Sequence, residues 1–191
     1  MLDVGCGYTA HKKANVICDI QDLSKFYKDK KFIKIGGKKL PFKDKEFDYV
    51  ILSHVLEHVD DIQEFSKEIE RISNAGYIEL PTKLADNLTI GCDEEDIGHK
   101  WWLRFDDVDK KLEFVKKVDV LQKFISVGTL NKFQEYFEDS LIIQLYWENS
   151  IDLIQGKPIA FDKKINFSSL IRKYIGKKIR DNFARLRNFI K

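Results

Sequence analysis

The sequence predicts an α/β fold in which a mainly parallel sheet carries helices on both faces. Short apolar segments, each long enough for one strand, recur along the first 81 residues and are separated by longer connections. The segment 60–73 between two of them has the apolar spacing of a helix rather than of a strand. Because apolar strands joined by crossovers form parallel sheets, this order predicts an α/β protein.

The strands of the first half are predicted from apolar runs that end at turn-forming residues. Glycines follow the first and third runs, and Pro81 ends the last one. The predicted strands are Met1–Val4, Ala14–Ile20, Phe32–Ile35, Phe47–Ser53 and Tyr77–Leu80.

The segment 60–73 is predicted to be an amphipathic helix. Asp60 or Asp61 can cap its first turn with a carboxylate. Its apolar side chains fall on one face, which predicts burial against the sheet; they are Ile62, Phe65, Ile69 and Ile72.

The sequence of the second half of the chain predicts both strands and helices. The sequence predicts a two-stranded hairpin that turns near residues 107–110, with strands over Trp101–Phe105 and Leu112–Val115. The segment 120–139 is predicted to be helical with an interruption at Gly128, and 141–148 is a late apolar strand. Residues 165–191 predict a terminal helix with one apolar stripe, formed by Ile171, Ile175, Ile179, Phe183, Leu186 and Ile190.

Charge is distributed unevenly along the 191 residues. The net charge is +2, yet residues 170–191 alone carry +7, which leaves −5 for residues 1–169. No apolar run approaches the ~20 residues of a membrane span, and no signal peptide is visible, so we expect a cytoplasmic protein. Three cysteines without C-x-x-C spacing predict reduced, packed thiols and no metal site.

The first constellation that carries chemistry is Asp3-Val4-Gly5-Cys6-Gly7, followed by Asp19. A glycine turn after the first strand lets the backbone approach a ligand, and an acid ending the second strand can accept hydrogen bonds from ribose hydroxyls. The third glycine of a dinucleotide fingerprint is missing, and Asp19 lies only twelve residues after Gly7. This spacing suits an adenosine ligand without phosphates better than a dinucleotide; the alternative is a plain turn.

Three stretches together resemble class I S-adenosylmethionine (SAM)-dependent methyltransferases of the methyltransferase type 11 kind. "LDVGCG" (2–7) matches the first motif of that family, and "LPFKDKEFDYVILSHVLEHVDD" (40–61) matches the block around its fourth strand. "IERISNAGYIELP" (69–81) matches the helix that leads to its fifth strand. A weaker likeness over "IELPTKLADN", "GHKWW" and "LEFV" is to members from bacterial surface-glycan gene clusters.

The resemblance implies a Rossmann-like class I methyltransferase sheet with SAM at the carboxyl ends of its strands. It implies that the loop with Asp3, Gly5, Cys6 and Gly7 lines the methionine and ribose, and that Asp19 holds the ribose hydroxyls. Gly36 and Gly37 would lie near the adenine, where many relatives have an acid, and Ser53 and His54 beneath the sulfonium. We expect a methyltransferase-like domain over residues 1–165 and a basic amphipathic helix over 166–191.

The family normally has helical sequence before the first strand, whereas this chain starts on that strand. We therefore expect either a piece of a longer gene or a shortened member, with a SAM cleft that is more open on one side.

Histidines supply the candidate catalytic residues, which are His54, His58 and His99. His54 to His58 also fit the H-x-x-E-H zinc signature of one metalloprotease group, which needs both histidines on one face of a continuous helix. They directly follow a predicted strand, so we assign them no metal. His58 is either packed or lines the substrate mouth. His99 could act as a general base toward a sugar hydroxyl, with Trp101 and Trp102 either stacking on a ring or packing the hairpin.

The predicted function is methyl transfer from SAM to an acceptor nucleophile, with a hydroxyl of a glycan or small molecule as the favoured acceptor. One alternative is a non-catalytic methyltransferase-like binding module, favoured by Gly36 and Gly37 and opposed by the intact glycine loop. Another is a nucleic-acid methyltransferase or binder, suggested by the basic tail. Residues 170–191 could also contact an anionic membrane surface, at the inner face of the membrane, or pack on the acidic body.

Overall fold

The computed structural model describes residues 1–36, 39–90, 98–160 and 164–189, with side chains described up to Arg180. Thirteen elements follow in chain order. They are β1 (Leu2–Val4), β2 (Val16–Asp19), β3 (Lys31–Lys34), β4 (Val50–Ser53), α1 (Ile62–Ile72), β5 (Ala75–Pro81), α2 (Lys83–Leu88), β6 (Trp101–Asp106), β7 (Lys111–Lys116), α3 (Val127–Leu141), β8 (Ile142–Glu148), β9 (Leu153–Gln155) and α4 (Phe167–Phe189).

A six-stranded sheet in the order β3-β2-β1-β4-β5-β8 forms the centre of the protein. The first five strands along the chain pair in parallel, and β8 pairs antiparallel with β5. The predicted α/β class with a mainly parallel sheet is therefore confirmed. The carboxyl ends of β1, β2 and β4 are neighbours at one edge of the sheet, where the predicted site residues follow the strands.

One face of the sheet holds the main core. Leu2, Val4, Leu52 and Ile78 alternate with residues of the opposite face and are fully buried. The helix α1 covers them with Ile62, Ile69 and Ile72, which are also buried. Asp61 caps this helix by accepting hydrogen bonds from the amides of Gln63 and Glu64, so the predicted helix and one of its two predicted caps are confirmed.

Part of the opposite face, over β2 and β3, is covered by loops. Ile17 and Phe32 on that face pack against Cys6, Ala14 and Leu23 in a small separate cluster. The described connections β1–β2 and β2–β3 are built from turns and bends and contain no helix. These two connections therefore cover the β1–β3 part of this face with a few apolar side chains instead of a helix.

A second, three-stranded sheet in the order β6-β7-β9 packs beside the first. The hairpin of β6 and β7 is antiparallel, as predicted, and β9 joins β7 in parallel. Leu103, Leu112 and Phe114 from this sheet lie in the main core. The late strand predicted over 141–148 is β8.

The predicted helix over 120–139 begins only at Val127, where Ser126 caps it. Residues before the cap are extended: Ile125 bridges to Thr89, and Leu121 bridges to Ile165. Gly128 lies in the first turn, and the irregular point inside the helix is Phe137. These tertiary contacts override a local apolar spacing that is also compatible with a helix.

The terminal helix α4 exposes its side chains over the described part. Phe167, Leu170, Ile171, Tyr174, Ile175 and Ile179 are 37–62% exposed. Its first turn is fastened to the body: the amide of Phe167 donates to the side chain of Gln122, and the Phe167 ring packs on Phe124. Among the helices that the structure describes, none has the length and apolarity needed to cross a membrane.

Candidate functional site

The glycine loop after β1 turns back on β2. Gly5 and Gly7 have φ angles of +68° and +47°, in the left-handed region that favours glycine. The amides of Gly5 and Cys6 donate to the carbonyl of Cys18, and the amide of Gly7 donates to Oδ2 of Asp19 at 2.9 Å. All three N–H groups are thus used inside the protein, whereas a loop that binds a pyrophosphate keeps such donors for its ligand.

Asp19 ends β2 with its carboxylate beside that loop. It is 7% exposed and also accepts a hydrogen bond from the amide of Gln21 at 2.9 Å. Each carboxylate oxygen has two lone pairs, so both oxygens retain capacity to accept a ligand hydroxyl. A Cβ added at Gly7 would meet nothing within 4 Å, so the loop borders open space there. The residues therefore fit a ligand that offers hydroxyls and no phosphate, as the adenosyl part of SAM does.

Asp3 lies one residue before the carboxyl end of β1 and is 4% exposed. Its carboxylate accepts a hydrogen bond from the amide of His11 at 2.7 Å, so it holds the connection that follows the glycine loop. Burial raises the pKa of Asp3, although the His11 amide and nearby positive charges act against that rise.

Two of the three cysteines, Cys6 and Cys18, are buried and free. Burial, followed by the negative charges of Asp19 and Asp3, raises the pKa of Cys6 to about 12. Both thiols are packed and reduced, as predicted, and Cys92 lies outside the described residues.

An exposed apolar surface beside Asp19 was missed by the sequence analysis. Ile20, directly after Asp19, is 63% exposed, and Tyr8 and Phe26 are also exposed with their rings packed edge to face. Tyr27 fastens this surface to the loop by donating a hydrogen bond to the carbonyl of Gly7 at 2.8 Å. The signal available in the sequence was an apolar residue directly after Asp19 and an aromatic pair, Phe26-Tyr27, that begins seven residues after it.

Of the two glycines expected near the adenine, Gly36 is exposed just beyond β3 and has open space around it. Gly37 lies outside the described residues. The neighbouring amide of Ile35 donates to the carbonyl of Asp19, which keeps the end of β3 beside the end of β2.

Ser53 ends β4 and His54 follows it, and both contact Glu79 of β5. Ser53 Oγ donates to Oε1 of Glu79 at 2.9 Å, and His54 adopts a φ of +56°. His54 Nδ1 lies 3.2 Å from Oε1 of Glu57. Desolvation lowers the pKa of His54, but the hydrogen bond to Glu57 and the charges of Glu57 and Glu79 outweigh it, so that pKa is raised.

The connection after β4 touches the glycine loop directly. A Cβ added at Gly5 would lie 2.6 Å from Cγ2 of Val55, so this close approach requires glycine. The contact brings residues 5–7 and 53–55 to one place, as the resemblance implies. His54 to His58 form a turn rather than a helix, so the metalloprotease geometry is absent from these residues.

His58 and His99, predicted separately, lie together. Their rings meet edge to face with centroids 4.6 Å apart. His99 Nδ1 is 2.7 Å from Oδ1 of Asp86, a buried carboxylate that also accepts the indole N–H of Trp102. Trp102 is 4% exposed and therefore packs the hairpin instead of offering a stacking surface.

Trp101 is likewise engaged within the protein. Its indole N–H donates to the carbonyl of Val59 at 2.8 Å, and its ring packs edge to face on Phe114. Of the two roles predicted for the tryptophan pair, the structure bears out the packing of the hairpin. Residues 91–97, which precede His99 in sequence, lie outside the described residues.

Comparisons with known proteins found one family model and several solved structures that are similar to parts of the chain. A family model described as a methyltransferase domain matches residues 2–78. No curated protein matches the chain. Similar solved structures include a SAM-dependent methyltransferase, possible histamine N-methyltransferase, from Thermotoga maritima, with 21% identity over 47% of this chain and 45% of that one, at a TM-score of 0.38.

Two further solved structures are similar to the chain. A SAM-dependent methyltransferase from Aquifex aeolicus shares 14% identity over 76% of this chain and 79% of that one, at a TM-score of 0.39. The YcgJ protein from Bacillus subtilis shares 15% identity over 47% and 45%, at a TM-score of 0.35. The chain thus spans less than half the length of the Bacillus and Thermotoga proteins.

The family match covers β1 to β5 up to Ile78, which are the parallel strands and the loops at their carboxyl ends. The resemblance seen in the sequence rests on the same residues. Residues 2–78 are thus similar to a methyltransferase domain over the parallel strands that carry the candidate site.

Proposed function

We propose that the protein transfers the methyl group of SAM to an acceptor hydroxyl. The observation that carries the proposal is the meeting of the Gly5–Gly7 loop, Asp19 and the Ser53–His54 turn at one sheet edge, within the segment that matches the methyltransferase domain. The sites of open α/β sheets lie at such carboxyl edges. SAM would supply a methyl group on a sulfonium, which is already reactive, so the protein has mainly to position the reactants.

The chain's own residues take distinct roles in this proposal. Asp19 accepts the ribose hydroxyls, and the exposed Ile20 packs on the adenine. Gly5 and Gly7 let the loop approach the ligand without side chains. Glu57 orients His54 through its Nδ1 atom. The other ring nitrogen, Nε2, lies 3.7 Å from Oε1 of Glu79, which is too far for a hydrogen bond, and receives the proton of the acceptor.

The proposed acceptor is a hydroxyl of a glycan or small molecule. Support for the glycan comes from the weaker sequence likeness over residues 78–115. A hydroxyl suits a site lined by histidines and carboxylates, which can orient it and take its proton. Packing of Trp101 and Trp102 into the hairpin means that neither side chain is proposed to stack on the sugar.

Calorimetric titration of the full chain with SAM tests the cofactor assignment. Asp19→Ala is expected to weaken SAM binding by roughly 1.5–3 kcal/mol, the scale of lost hydrogen bonds to a charged group. Asp22→Ala is the matched control, because Asp22 is an exposed acid three residues away whose hydrogen bonds are to its own neighbour Ser24. Equal affinity in the wild type and Asp19→Ala would remove Asp19 from the site.

A second measurement separates the enzyme from the binding module. Radiolabelled methyl from SAM should appear on hydroxyl-bearing glycan acceptors incubated with the wild type. SAM binding without transfer to any acceptor tested would favour the non-catalytic alternative.

We further propose that α4 contacts an anionic membrane surface, where a lipid-linked glycan would be found. We propose that residues 166–191 form a segment separate from the domain over residues 1–165. The helix exposes an apolar stripe, in which Ile171 and Ile175 are 42% and 50% exposed. Residues 170–191 carry +7 in total. Apolar area combined with Lys and Arg on one helix favours binding in the interface of an anionic bilayer.

Vesicle co-sedimentation tests this contact with a matched pair of variants. Ile175→Glu and Ser169→Glu change the charge of the same helix equally, but only the first interrupts the apolar stripe. We expect anionic vesicles to recover the wild type and Ser169→Glu more than Ile175→Glu. Equal recovery on neutral and anionic vesicles at low salt would overturn the membrane contact. Displacement of the protein from anionic vesicles by RNA of the same total negative charge would also overturn it.

A further inference from the structure

Three potential metal ligands meet beside the carboxyl end of β4. One carboxylate oxygen of Glu57 and one ring nitrogen each of His58 and His99 lie within 4.8 Å of one another. Two of the residues are neighbours in the turn after β4, and the third precedes β6 and is 41 positions away in sequence. Small side-chain movements could bring these atoms around one ion, because tetrahedral ligand atoms at about 2.1 Å from a metal are about 3.4 Å apart.

Glu57 provides an observation that is independent of this clustering. Its side chain is 1% exposed, and within the described part of the chain its Oε2 atom has no hydrogen-bond partner. The other oxygen, Oε1, lies 3.2 Å from Nδ1 of His54. A buried carboxylate oxygen without a partner is unfavourable, and a cation is the group that best compensates it.

His99 is oriented as metal-binding histidines are. Its Nδ1 lies 2.7 Å from Oδ1 of Asp86, which is 2% exposed. A carboxylate accepts hydrogen bonds, so Nδ1 carries the hydrogen and Nε2 keeps its lone pair for a metal ion. Asp86 is itself fixed by the indole N–H of Trp102 and by Lys117 at 3.5 Å.

The backbone holds the two ligand segments in register. The carbonyl of Glu57 accepts hydrogen bonds from the amides of Lys100 and Trp101, at 2.7 and 3.2 Å. The indole of Trp101 also donates to the carbonyl of Val59. Hydrogen bonds to the residues before and after His58 thus fasten the turn after β4 to the start of β6. A metal site needs ligands that are held rigidly in this way.

We propose that Glu57, His58 and His99 bind a divalent transition-metal ion. Two imidazole nitrogens and one carboxylate oxygen favour zinc or iron(II) over magnesium or calcium, which prefer oxygen ligands alone. This ligand set differs from the helical H-x-x-E-H pattern, because His54 is replaced by His99 from another element. Asp86 serves as a positioning residue for His99.

The ion would lie beside His54, at the sheet edge where we propose that the acceptor binds. Three protein ligands leave coordination positions for an oxygen of the acceptor, so a hydroxyl-bearing acceptor with a second oxygen nearby is the class that fits. This role rests on the proposed methyl transfer, whereas binding of the ion does not.

Titration of the full, metal-free chain with Co²⁺ tests the site without SAM or acceptor. We expect visible absorption bands that saturate at one ion per chain and that Zn²⁺ removes by competition. His58→Gln and His99→Gln should each weaken Co²⁺ binding at least tenfold, since each removes one of three protein ligands. Asp86→Asn should weaken it about 10–100-fold, as loss of a carboxylate behind a ligating histidine does.

His11→Gln is the matched control, because His11 is an exposed histidine in the β1–β2 connection, outside the cluster. It should bind Co²⁺ as the wild type does. The partly exposed His58 makes its variant the one least expected to disturb folding, which circular dichroism checks. Absence of saturable bands in the wild type, or Co²⁺ binding by His58→Gln and His99→Gln equal to that of His11→Gln, would overturn the proposal. SAM binding is measured separately, so its failure would leave this result standing.

Discussion

Substitution of the two loop glycines by alanine separates close packing from backbone conformation. Both residues have a positive φ, so an alanine at either position is strained by about 1–2 kcal/mol. Only at Gly5 does the added Cβ also meet another side chain, Cγ2 of Val55 at 2.6 Å. At Gly7 the same Cβ meets nothing within 4 Å.

The expected magnitudes follow from these contacts. Gly7→Ala should lower the free energy of unfolding by about 1–2 kcal/mol, from the backbone alone. Gly5→Ala adds the overpacking of a β-branched neighbour with little rotamer freedom, about 1–3 kcal/mol, for a total of about 2–5 kcal/mol. Removing the obstructing methyl groups by Val55→Ala should recover the overpacking part.

Urea unfolding of the wild type, Gly5→Ala, Gly7→Ala and the matching variants in a Val55→Ala background gives these free energies. We expect a favourable coupling of about 1–3 kcal/mol between Gly5→Ala and Val55→Ala, and none between Gly7→Ala and Val55→Ala. Equal destabilisation at the two glycines, or no coupling at Gly5, would refute the contact between the glycine loop and the turn after β4.

Two further predictions concern charged groups. Burial raises the folded-state pKa of Asp3, so the ionised carboxylate opposes folding. Asp3→Asn keeps an acceptor for the His11 amide and should therefore raise Tm at pH 7. Below pH ~3.9, where Asp3 is protonated, thermal melts should show no such increase in Tm. Arg71 bonds to Glu68 and to the carbonyls of Leu40 and Phe42, so Arg71→Met should lower the free energy of unfolding by about 2–4 kcal/mol in a urea titration. The hydrogen bond from Arg71 lowers the folded-state pKa of Glu68. The stabilisation by this pair is therefore present above the ordinary Glu pKa and is lost as the pH falls through the folded-state pKa of Glu68. If Arg71→Met lowered the free energy of unfolding equally at neutral and low pH, this reasoning would be contradicted.

Local patterns carried most of the fold prediction. The strand β4, the capped helix α1 and the β6–β7 hairpin each have an unambiguous apolar period or turn, and each forms where it was expected. The segment before Val127 has helix-compatible spacing, yet its residues bridge to Thr89 and Ile165, which are distant in sequence. A single sequence gives no sign of such pairings, so the start of α3 was predicted too early.

The site shows the same division. The glycine loop and Asp19 were assigned from one motif, and the amide of Gly7 bonds to Asp19 in the structure. Glu57 was seen only as part of a metalloprotease-like pattern, and the pairing of His99 with Asp86 was not predicted. Those roles depend on burial and on contacts between separate elements, which the sequence does not report.

The central claim is that the adenosyl ligand binds at the carboxyl edge formed by β1, β2 and β4. Amide chemical shifts of the ¹⁵N-labelled full chain, titrated with S-adenosylhomocysteine, test it most directly. We expect saturable shift changes concentrated at Gly5, Gly7, Ile20 and Ser53. Changes confined to the surface cleft lined by Thr82, Phe105 and Gln144, away from that edge, or no changes at all, would contradict it.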